Sequence, residues 1–532
     1  MALGVRRSIT DLQKDYDSGN KAPLETLMRA WKGIKELPPT DPNSFFVIGG
    51  YHGEPFRGPG ETDPAWWGGY CQHGTVLFPS WHRAYLWRLE QALQSIPGCA
   101  DVQLAFWDEC STDSQQNGIP HALTDETFVL DGQTIPNPLR SFTLPVAIVD
   151  QVKNDPIVYS KPAGYETVRY PLSGLLGTPA DQAATAAHNA QFPNYQDNVG
   201  YLNDNVATWL SGKIRVGGQW VGEVESQFVQ CLNAPNYTLF SNTTSAGAQP
   251  NPQPVPLEQP HNMMHLAVGG FDYPGQGDLS PIPGANGDMG ENDTAGLDPI
   301  FFFHHCFIDY TFWIWQRRHN STKAFTIDSS DPGAQYSSSN PPPADADPNA
   351  PMSLTTPLNP FKTANGGAAM TTADVIDIEN QLGYTYGPGS LDQYATPAAA
   401  HPMALRAAPP GHTVAVSGIN RANIRGSFLI SAFATVDGER EYIGTKAVLS
   451  RWHVEGCMNC LSHLEAKATF PLAHDSAQFL TPVDRAAPAG VEVEVRTHTG
   501  LYGGTPRRAA AATAPRALAA AEKDAPFKVE IR

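Results

Sequence analysis

An apolar stretch with two adjacent histidines constrains this chain more than any other feature. Residues 298–309 read DPIFFFHHCFID, and the apolar pattern continues through Trp313 and Trp315, which predicts a helix. A buried imidazole without a hydrogen bond or a metal is costly, so this histidine pair needs partners. Neighbouring side chains on a helix are about 100° apart, and therefore only one of His304 and His305 can face a given metal ion.

A further pair of histidines lies upstream of this segment. His261 and His265 are at positions i and i+4, the spacing that stacks two imidazoles on one face of a helix. A single histidine is more often an ordinary core or surface residue. This spacing, followed by a histidine pair in an apolar helix, instead predicts a site with three histidines.

The N-terminal part of the sequence offers another three: His52, His73 and His82. His52 and His73 lie in a glycine-rich segment that we predict to be loop, whereas His82 begins a helical pattern. His73 and His82 are too far apart in sequence for one helix face unless the chain turns between them. Two sites with three imidazoles each suit copper or zinc, and geometry would decide between the two metals.

Three motifs, in this order, resemble those of the tyrosinases, which are type-3 binuclear copper proteins like catechol oxidases and molluscan haemocyanins. They are Cys71-Gln72-His73 with Trp81-His82-Arg83, the segment 260–270 (PHNMMHLAVGG), and the segment 298–305 (DPIFFFHH) with its trailing Asp309. The resemblance covers residues 1–390 and, more loosely, the C-terminal part. It implies a mainly α fold, with a helical-bundle copper core and long loops, followed by a small C-terminal β domain.

The resemblance also implies which residues bind the metal. It places two copper ions, with O2 as co-substrate, on two sets of histidines: copper A on His52, His73 and His82, and copper B on His261, His265 and His305. By the same pattern His304 stands beside the metal without binding it, or is structural. Neutral imidazole suits this role because it binds copper in both of its oxidation states.

The reaction that the resemblance implies is a copper-dependent oxidation of small phenols such as tyrosine and catechols. Tyrosinases hydroxylate monophenols at the ortho position and oxidise o-diphenols to o-quinones, the chemistry that leads to melanin. Two alternatives stay open: a catechol or o-aminophenol oxidase without monophenol activity, and an oxygen carrier similar to a haemocyanin. A single copper unit without repeats argues against the carrier, and six histidines without a carboxylate ligand argue against a zinc hydrolase.

Three further residues have roles implied by the resemblance. Cys71 would form a thioether with the ring of His73, as in similar fungal and molluscan proteins; alternatively it is a free buried cysteine. Glu258 and Asn262 would hold a water that accepts the phenol proton, since a phenol with a pKa of about 10 is mostly neutral at pH 7. The alternative is that Glu258 is a solvated loop charge and Asn262 a helix-surface amide.

Three more residues are predicted to shape the surroundings of the metal and the substrate. Phe301 would keep water from the bound oxygen, although it is equally an ordinary core residue. Leu266 is apolar where many tyrosinases carry an arginine, which leaves the preference for substrate charge open. Asn292 falls where similar proteins place a residue beside the substrate entrance.

The sequence pattern changes after a proline-rich stretch at 397–410. Beyond it, short alternating apolar runs predict strands at 413–416, 428–430, 491–495 and 527–531. We therefore expect a catalytic domain over 1–395, a linker over 396–411 and a C-terminal β domain over 412–532.

Elsewhere in the first 395 residues the pattern is weaker. Residues 8–37 read as one helix that ends at Pro38-Pro39. Residues 111–200 are polar with little periodicity, which predicts irregular structure.

The C-terminal part also carries Cys457-Met458-Asn459-Cys460. A CxxC pair can bind Cu(I) or zinc, or it can alternate between dithiol and disulfide as a redox pair. A structural zinc site needs two more ligands, and His453 and His463 are near in sequence. Similar tyrosinases use such an extension to cover the active site, and its CxxC to load copper. Trp452 and His453 are the candidates for the cover, although Trp452 is equally an ordinary core residue.

Composition limits the partners and the compartment. The net charge of −18 argues against nucleic acid or an anionic membrane surface as a partner. The sequence contains no run of 18 apolar residues, so we predict no transmembrane helix. The N-terminus lacks the apolar stretch of a signal peptide. Seven cysteines, an odd number, fit a reducing compartment. We expect a cytoplasmic protein, with export by another route and homo-oligomerisation left open.

Overall fold

The structure is a computed structural model that describes most of the chain. The described residues are 3–53, 69–149, 159–216, 219–250, 253–274, 286–336, 350–363, 367–396, 413–436, 439–454, 460, 463–472, 490–508, 510–511 and 526–531. We call residues 3–396 the catalytic part and residues 413–531 the C-terminal β domain. The boundaries 395, 396–411 and 412 stay a prediction, because 397–412 lie outside the described residues.

The catalytic part is mainly helical, as predicted. Its α-helices, in chain order, are α1 Ile9–Asp17, α2 Ala22–Glu36, α3 Phe45–Gly50, α4 Phe78–Gln94, α5 Thr112–Asn117, α6 Pro179–Asn189, α7 Tyr195–Ser211, α8 Glu223–Cys231, α9 Tyr237–Ser241, α10 Thr243–Gly247, α11 Glu258–Gly269 and α12 Ile300–Arg318.

Helix α12 is the centre of the core. Its side chains are buried without a break from Ile300 to Gln316, and a helix that is apolar all round must be enclosed by other elements. It packs against α4, which begins with a proline in its first turn, where the ring costs no hydrogen bond. The metal-binding stretch predicted around His305 therefore lies in a helix that is enclosed over almost its whole length.

A buried hydrogen-bond network fixes α12 one turn after His305. Asp309 accepts hydrogen bonds from Arg83 Nε at 2.5 Å and from the hydroxyls of Tyr384 and Tyr386 at 2.6 Å each. Burial would raise the pKa of Asp309, but Arg83 and Arg6 hold it below its ordinary value. The network joins four distant segments, so the register of α12 against α4 is closely defined.

Short strands tie the ends of the catalytic part together. They are β1 Gly4–Ser8, β2 Ala105–Phe106, β3 Thr127–Leu130, β4 Gln133–Pro136, β5 Ile148–Val149, β6 Ser160–Lys161, β7 Lys213–Val216, β8 Gln219–Gly222, β9 Pro357–Lys362, β10 Ala369–Thr371 and β11 Tyr384–Tyr386. Strand β1 lies between β11 and β2 and pairs with both in parallel.

The C-terminal β domain has the predicted strand character. Its strands are β12 Thr413–Asn420, β13 Phe428–Val436, β14 Glu439–Val448, β15 Glu465–Pro471, β16 Val491–Thr497, β17 Gly500–Leu501, β18 Arg507–Arg508, β19 Ala510–Ala511 and β20 Lys528–Ile531. One sheet has the order β15-β12-β20-β19, the other β14-β13-β16-β17 with β18 on β16. Their inner faces share an apolar cluster that includes Val414, Phe428, Phe470 and Val493.

Two predictions about the catalytic part are wrong in detail. Residues 8–37 are not one helix: α1 and α2 are separated by a turn in which Gly19 takes a positive φ of 101°. Residues 111–200 are not irregular throughout, because α6 and α7 are helices. Each begins with a side-chain cap, Thr178 and Asn194, a local signal that outweighs the weak apolar periodicity.

No helix within the described part of the chain combines the length and the apolar character that a membrane crossing requires.

Candidate functional site

Two helices bring together the histidines predicted for copper B. His261 and His265 lie one turn apart on α11, and their ring centroids are 4.5 Å apart. His305, on α12, places its Nε2 at 3.2 Å from Nε2 of His261 and 3.3 Å from Nε2 of His265. The three Nε2 atoms thus converge on one point, the arrangement expected of three ligands to one ion.

The other ring nitrogens of this triad are oriented by the protein. Nδ1 of His265 donates to the carbonyl of Met289 at 2.8 Å, and Nδ1 of His261 lies 2.9 Å from Oδ1 of Asn262. A hydrogen bond at one imidazole nitrogen leaves the lone pair on the other, so both Nε2 atoms are ready to bind a metal.

His304 points elsewhere, as the helix geometry predicts. Its Nδ1 lies 2.6 Å from Oε1 of Glu109, and both side chains are fully buried. Burial lowers the pKa of His304 to about 3 and raises the pKa of Glu109 well above its ordinary value. His304 still offers a ring nitrogen within 4.8 Å of donor atoms from His261, His265 and His305, so it stands beside the site.

The histidines predicted for copper A also meet. His52 follows α3, His73 lies in the segment before α4, and His82 is inside α4. The ring centroid of His73 is 5.2 Å from the ring centroids of both His52 and His82, and the centroids of His52 and His82 are 5.7 Å apart. Nδ1 of His82 hydrogen-bonds the carbonyl of Phe78 at 2.8 Å, which leaves its Nε2 to face the triad.

The two triads face each other across a short gap. The rings of His82 and His305 are stacked at 4.4 Å, and the centroids of His73 and His261 are 5.4 Å apart. Phe301 lies against both triads, with its ring 4.0 Å from that of His305 and 4.7 Å from that of His52. Its side chain is fully buried, which suits both the water-excluding role and the core role predicted for it.

The donor set fits a pair of metal ions. Burial holds the pKa of each of the six histidines below its ordinary value, so all are neutral at pH 7 and present lone pairs. Neither ring nitrogen of His52, nor Nε2 of His82, has a hydrogen-bond partner among the described residues. Buried polar atoms of this kind are costly unless something binds them, and imidazole nitrogens bind copper well.

Cys71 lies beside the copper A triad. Its sulfur is within 4.8 Å of donor atoms from His52 and His73. It receives hydrogen bonds from Nη2 of Arg451 at 3.3 Å and from Nδ2 of Asn292 at 3.6 Å. Cys71 is a free cysteine in the structure, and the thioether to His73 stays a prediction.

Glu258 connects the two triads. Its Oε1 accepts from the backbone N–H of Gly74 at 2.8 Å, and its Oε2 accepts from the N–H and the hydroxyl of Thr243 at 2.8 and 3.0 Å. It is almost completely buried, so it is not a solvated loop charge. Glu258 thus ties the chain beside His73 to the start of α11.

Leu266 is fully buried.

The C-terminal β domain reaches the copper A triad through a residue that the sequence analysis missed. Arg451 is fully buried; its Nη2 donates to the carbonyl of His52 at 3.1 Å, and its Nη1 lies 3.6 Å from Oδ1 of Asp293. An arginine in the apolar run that leads to Trp452 was the available signal, because a buried guanidinium needs acceptors.

The residues predicted for the cover lie at the same interface. The backbone N–H of Trp452 donates to Asp293 at 2.9 Å, and its ring packs 6.2 Å from that of Tyr159. His453 is buried. Cys460 is disulfide-bonded, and Cys457 lies outside the described residues.

Comparison with known proteins agrees with this geometry. Residues 42–318 match the family described as the common central domain of tyrosinase. The chain is 51% identical to tyrosinase HcTyr2 from Hahella sp., over 91% of this chain and 90% of the relative. It is 42% identical to a tyrosinase from Aspergillus oryzae, over 88% of each chain.

A solved structure extends the similarity to nearly the whole chain. A tyrosinase from Burkholderia thailandensis, at low pH condition, superposes with a TM-score of 0.79 and 48% identity. The superposition covers 99% of this chain and 100% of that one. The chain therefore belongs to the tyrosinase family and is a copper-dependent oxidoreductase, with two copper ions and O2 as its co-substrate.

Proposed function

We propose that this enzyme hydroxylates monophenols at the ortho position and oxidises the resulting o-diphenols to o-quinones, with small phenols such as tyrosine and catechols as substrates. The observation that carries the proposal is the placement of Glu258 and Asn262 in one cavity with His73. When bound, the copper pair supplies the binding and activation of O2. The six histidines hold the two ions, by the pattern of the family.

The protein's part in monophenol hydroxylation is to take the phenol proton. A carboxylate offers about four acceptor positions, and Glu258 uses three of them for Gly74 and Thr243. The remaining position, on Oε1, is available to a water that faces the cavity. Such a water can carry a proton from a phenol, whose pKa of about 10 keeps it neutral at pH 7, to Glu258.

Asn262 supports the uptake of the phenol proton through its contact with His261. Its Oδ1 pairs with Nδ1 of His261, so its position is fixed relative to the copper B triad. The second candidate, a diphenol oxidase without monophenol activity, needs no proton acceptor of this strength, because catechols lose their protons more readily.

Turnover of a monophenol and of its diphenol by the copper-loaded protein tests the proposal. We expect wild-type protein to act on both L-tyrosine and L-DOPA. We expect Asn262→Ala and Glu258→Gln to lower tyrosine turnover at least tenfold more than DOPA turnover. The activation free energy for tyrosine would then rise by about 1.4 kcal/mol more than that for DOPA. Equal losses would mean that the two residues only hold His261 and the chain around His73, and would contradict the proposal.

We also propose that the C-terminal β domain covers the active site. The support is the contact of Arg451 and Trp452 with Asp293, and of Arg451 with the carbonyl of His52. Strand β14 also packs on α11, the helix that carries His261 and His265. His453 is buried at this interface, and its part in the cover stays a prediction.

Copper loading by the CxxC pair is a further part of the proposal. The support is that Cys460 and His463 line the same cavity as His73, one of the histidines predicted for copper A. The pair would accept Cu(I) only after reduction of the disulfide, since the thiolate is the metal ligand. Cys460→Ser should lower copper content when copper is scarce and leave it unchanged in excess copper. A variant that contains as much copper as the wild-type protein under both conditions would exclude the role.

The cytoplasmic location and a homo-oligomeric state stay predictions.

A further inference from the structure

We infer that the cavity between the catalytic part and the C-terminal β domain binds the carboxylate of a phenolic acid, through Arg421 and Lys446. The inference deepens the proposed function and rests on it only for the identity of the phenol ring. It gives the C-terminal domain a role in selecting the substrate in addition to covering the site.

The cavity has the size and the position that such a ligand requires. Its volume is about 340 Å³, within the range of small-molecule sites. One wall belongs to the catalytic part and includes His73, Glu258 and Asn262. The opposite wall belongs to the C-terminal β domain and includes Arg421 and Lys446. A ring placed beside His73 therefore directs its substituent at the two cations.

The charges that line the cavity do not balance. Lys467 and Glu465, at its edge, form a pair with each other at 3.1 Å. Among the described residues that line the cavity, this leaves Arg421 and Lys446 against Glu258, an excess of one positive charge. Glu258 attracts both cations at longer range, but its oxygens are hydrogen-bonded to Gly74 and Thr243.

The two cations also lack acceptors. Nε of Arg421 is buried and has no hydrogen-bond partner among the described residues, and Lys446 forms no ion pair with any of them. Burial lowers the pKa of Lys446 to about 8 and lowers the pKa of Arg421 from its ordinary value. A second carboxylate in the cavity would supply the missing acceptors and the missing negative charge.

The chemistry favours a carboxylate over other substituents. A guanidinium presents parallel N–H groups that match the two oxygens of a carboxylate, and the ammonium of Lys446 adds a third donor. An amine in the same position would meet two like charges. We therefore expect a phenol with a propionate side chain to bind better than the corresponding amide, and a phenol with an aminoethyl side chain to bind worse.

Calorimetry on the copper-loaded full-length protein tests the site without turnover. The probes are 3-phenylpropionate and 3-phenylpropanamide, which share a shape and lack the phenolic hydroxyl. We expect the carboxylate to bind at least tenfold tighter than the amide, and this preference to fall about tenfold in Lys446→Met and in Arg421→Met. Lys467→Met removes a cavity-edge lysine that already has a partner, and should keep the full preference.

Two results would overturn the inference. One is equal affinity of the wild-type protein for the acid and the amide. The other is an unchanged preference in both Lys446→Met and Arg421→Met, which would direct the carboxylate to the copper ions. Lys446→Arg keeps the charge and should keep the preference, and thermal unfolding of each variant identifies any that fails to fold.

Kinetics separate this site from the proposed reaction. For 3-(4-hydroxyphenyl)propionate we expect KM to rise about tenfold in Lys446→Met with kcat unchanged, and for 4-ethylphenol neither constant should change. A protein that oxidises only diphenols would still bind 3-phenylpropionate more tightly than 3-phenylpropanamide. The carboxylate site can therefore be tested even if the protein does not hydroxylate monophenols. Hydroxylation with an unchanged KM for the acid would exclude the site alone.

Discussion

The two histidine triads are held in different ways. In the triad predicted for copper B, all three histidines lie on the long helices α11 and α12, and the groups that orient the rings of His261 and His265, Asn262 and the carbonyl of Met289, belong to the catalytic part. In the triad predicted for copper A, only His82 lies on a long helix. His52 and the chain at Cys71 are instead held by Arg451 of the C-terminal β domain.

This difference shows where the C-terminal domain can act. Regular helices fix side-chain directions by their own geometry, whereas loops need tertiary contacts for the same precision. We infer that the copper B triad is positioned largely by the helical core, and that the copper A triad depends in part on the C-terminal β domain.

The largest effect is expected from removing a ligand of the better-defined triad. His305→Ala should abolish binding at copper B and all oxidase activity, because the two Nε2 atoms of His261 and His265 lose their convergent partner. Metal analysis of the purified protein gives the measurement, with one copper per chain expected instead of two.

The matched control for that variant is the neighbouring residue. His304→Ala should retain two copper ions, because Nδ1 of His304 is directed at Glu109. It should still unfold more easily, by about 1–3 kcal/mol, since the buried carboxyl of Glu109 loses its partner. Two copper ions in His305→Ala, or one in His304→Ala, would reverse the assignment of the two residues.

Copper A gives the next largest effect. Arg451→Met should lower the free energy of unfolding by about 3 kcal/mol, because Asp293 and the carbonyl of His52 lose a buried cationic partner. If the C-terminal β domain covers the site as proposed, the variant should also raise turnover of 4-tert-butylcatechol relative to catechol. Denaturant unfolding and the ratio of the two rates provide the measurements.

An arginine of the same domain serves as the control. Arg440 is exposed at 43% and pairs with Glu492 and Glu494 at the surface, so Arg440→Met should cost no more than about 1 kcal/mol and leave the rate ratio unchanged. If Arg451→Met behaves like Arg440→Met, the C-terminal domain does not support copper A.

A smaller effect concerns pH. Lys446 has a pKa lowered to about 8, so it is charged below that pH and neutral above it. The preference for 3-phenylpropionate should therefore decrease as the pH rises from 7 to 9, and should persist in Lys446→Arg. A preference that falls equally in both proteins would assign the pH dependence to another group. Among the described residues, the other titratable or charged groups that line the cavity are Cys71, His73, Glu258, Arg421, His463, Glu465 and Lys467.

The histidines could be found from sequence because their spacing is local. The i, i+4 pair at His261 and the adjacent pair at His304 translate directly into directions on a helix, and the fold keeps those helices. Glu109 and Arg451 could not be found in this way, because they meet His304 and His52 across 195 and 399 positions of sequence. Tertiary packing alone brings them together, and no periodic pattern records it.

The secondary structure shows the same limit. The apolar run of α12 is long and unambiguous, whereas α6 and α7 are polar and are set by their caps at Thr178 and Asn194. Strand β1 was missed because its five residues become a strand only by pairing with β11 and β2, which are distant in sequence.

The most direct measurement of the account is a crystal structure of the copper-loaded full-length protein, with anomalous scattering recorded on both sides of the copper absorption edge. The account predicts two copper peaks. One would be bound by Nε2 of His261, His265 and His305, and the other by His52, His73 and His82, with the guanidinium of Arg451 beside the second. A single peak, a copper ion bound by His304, or a second site without Arg451 beside it would contradict the account.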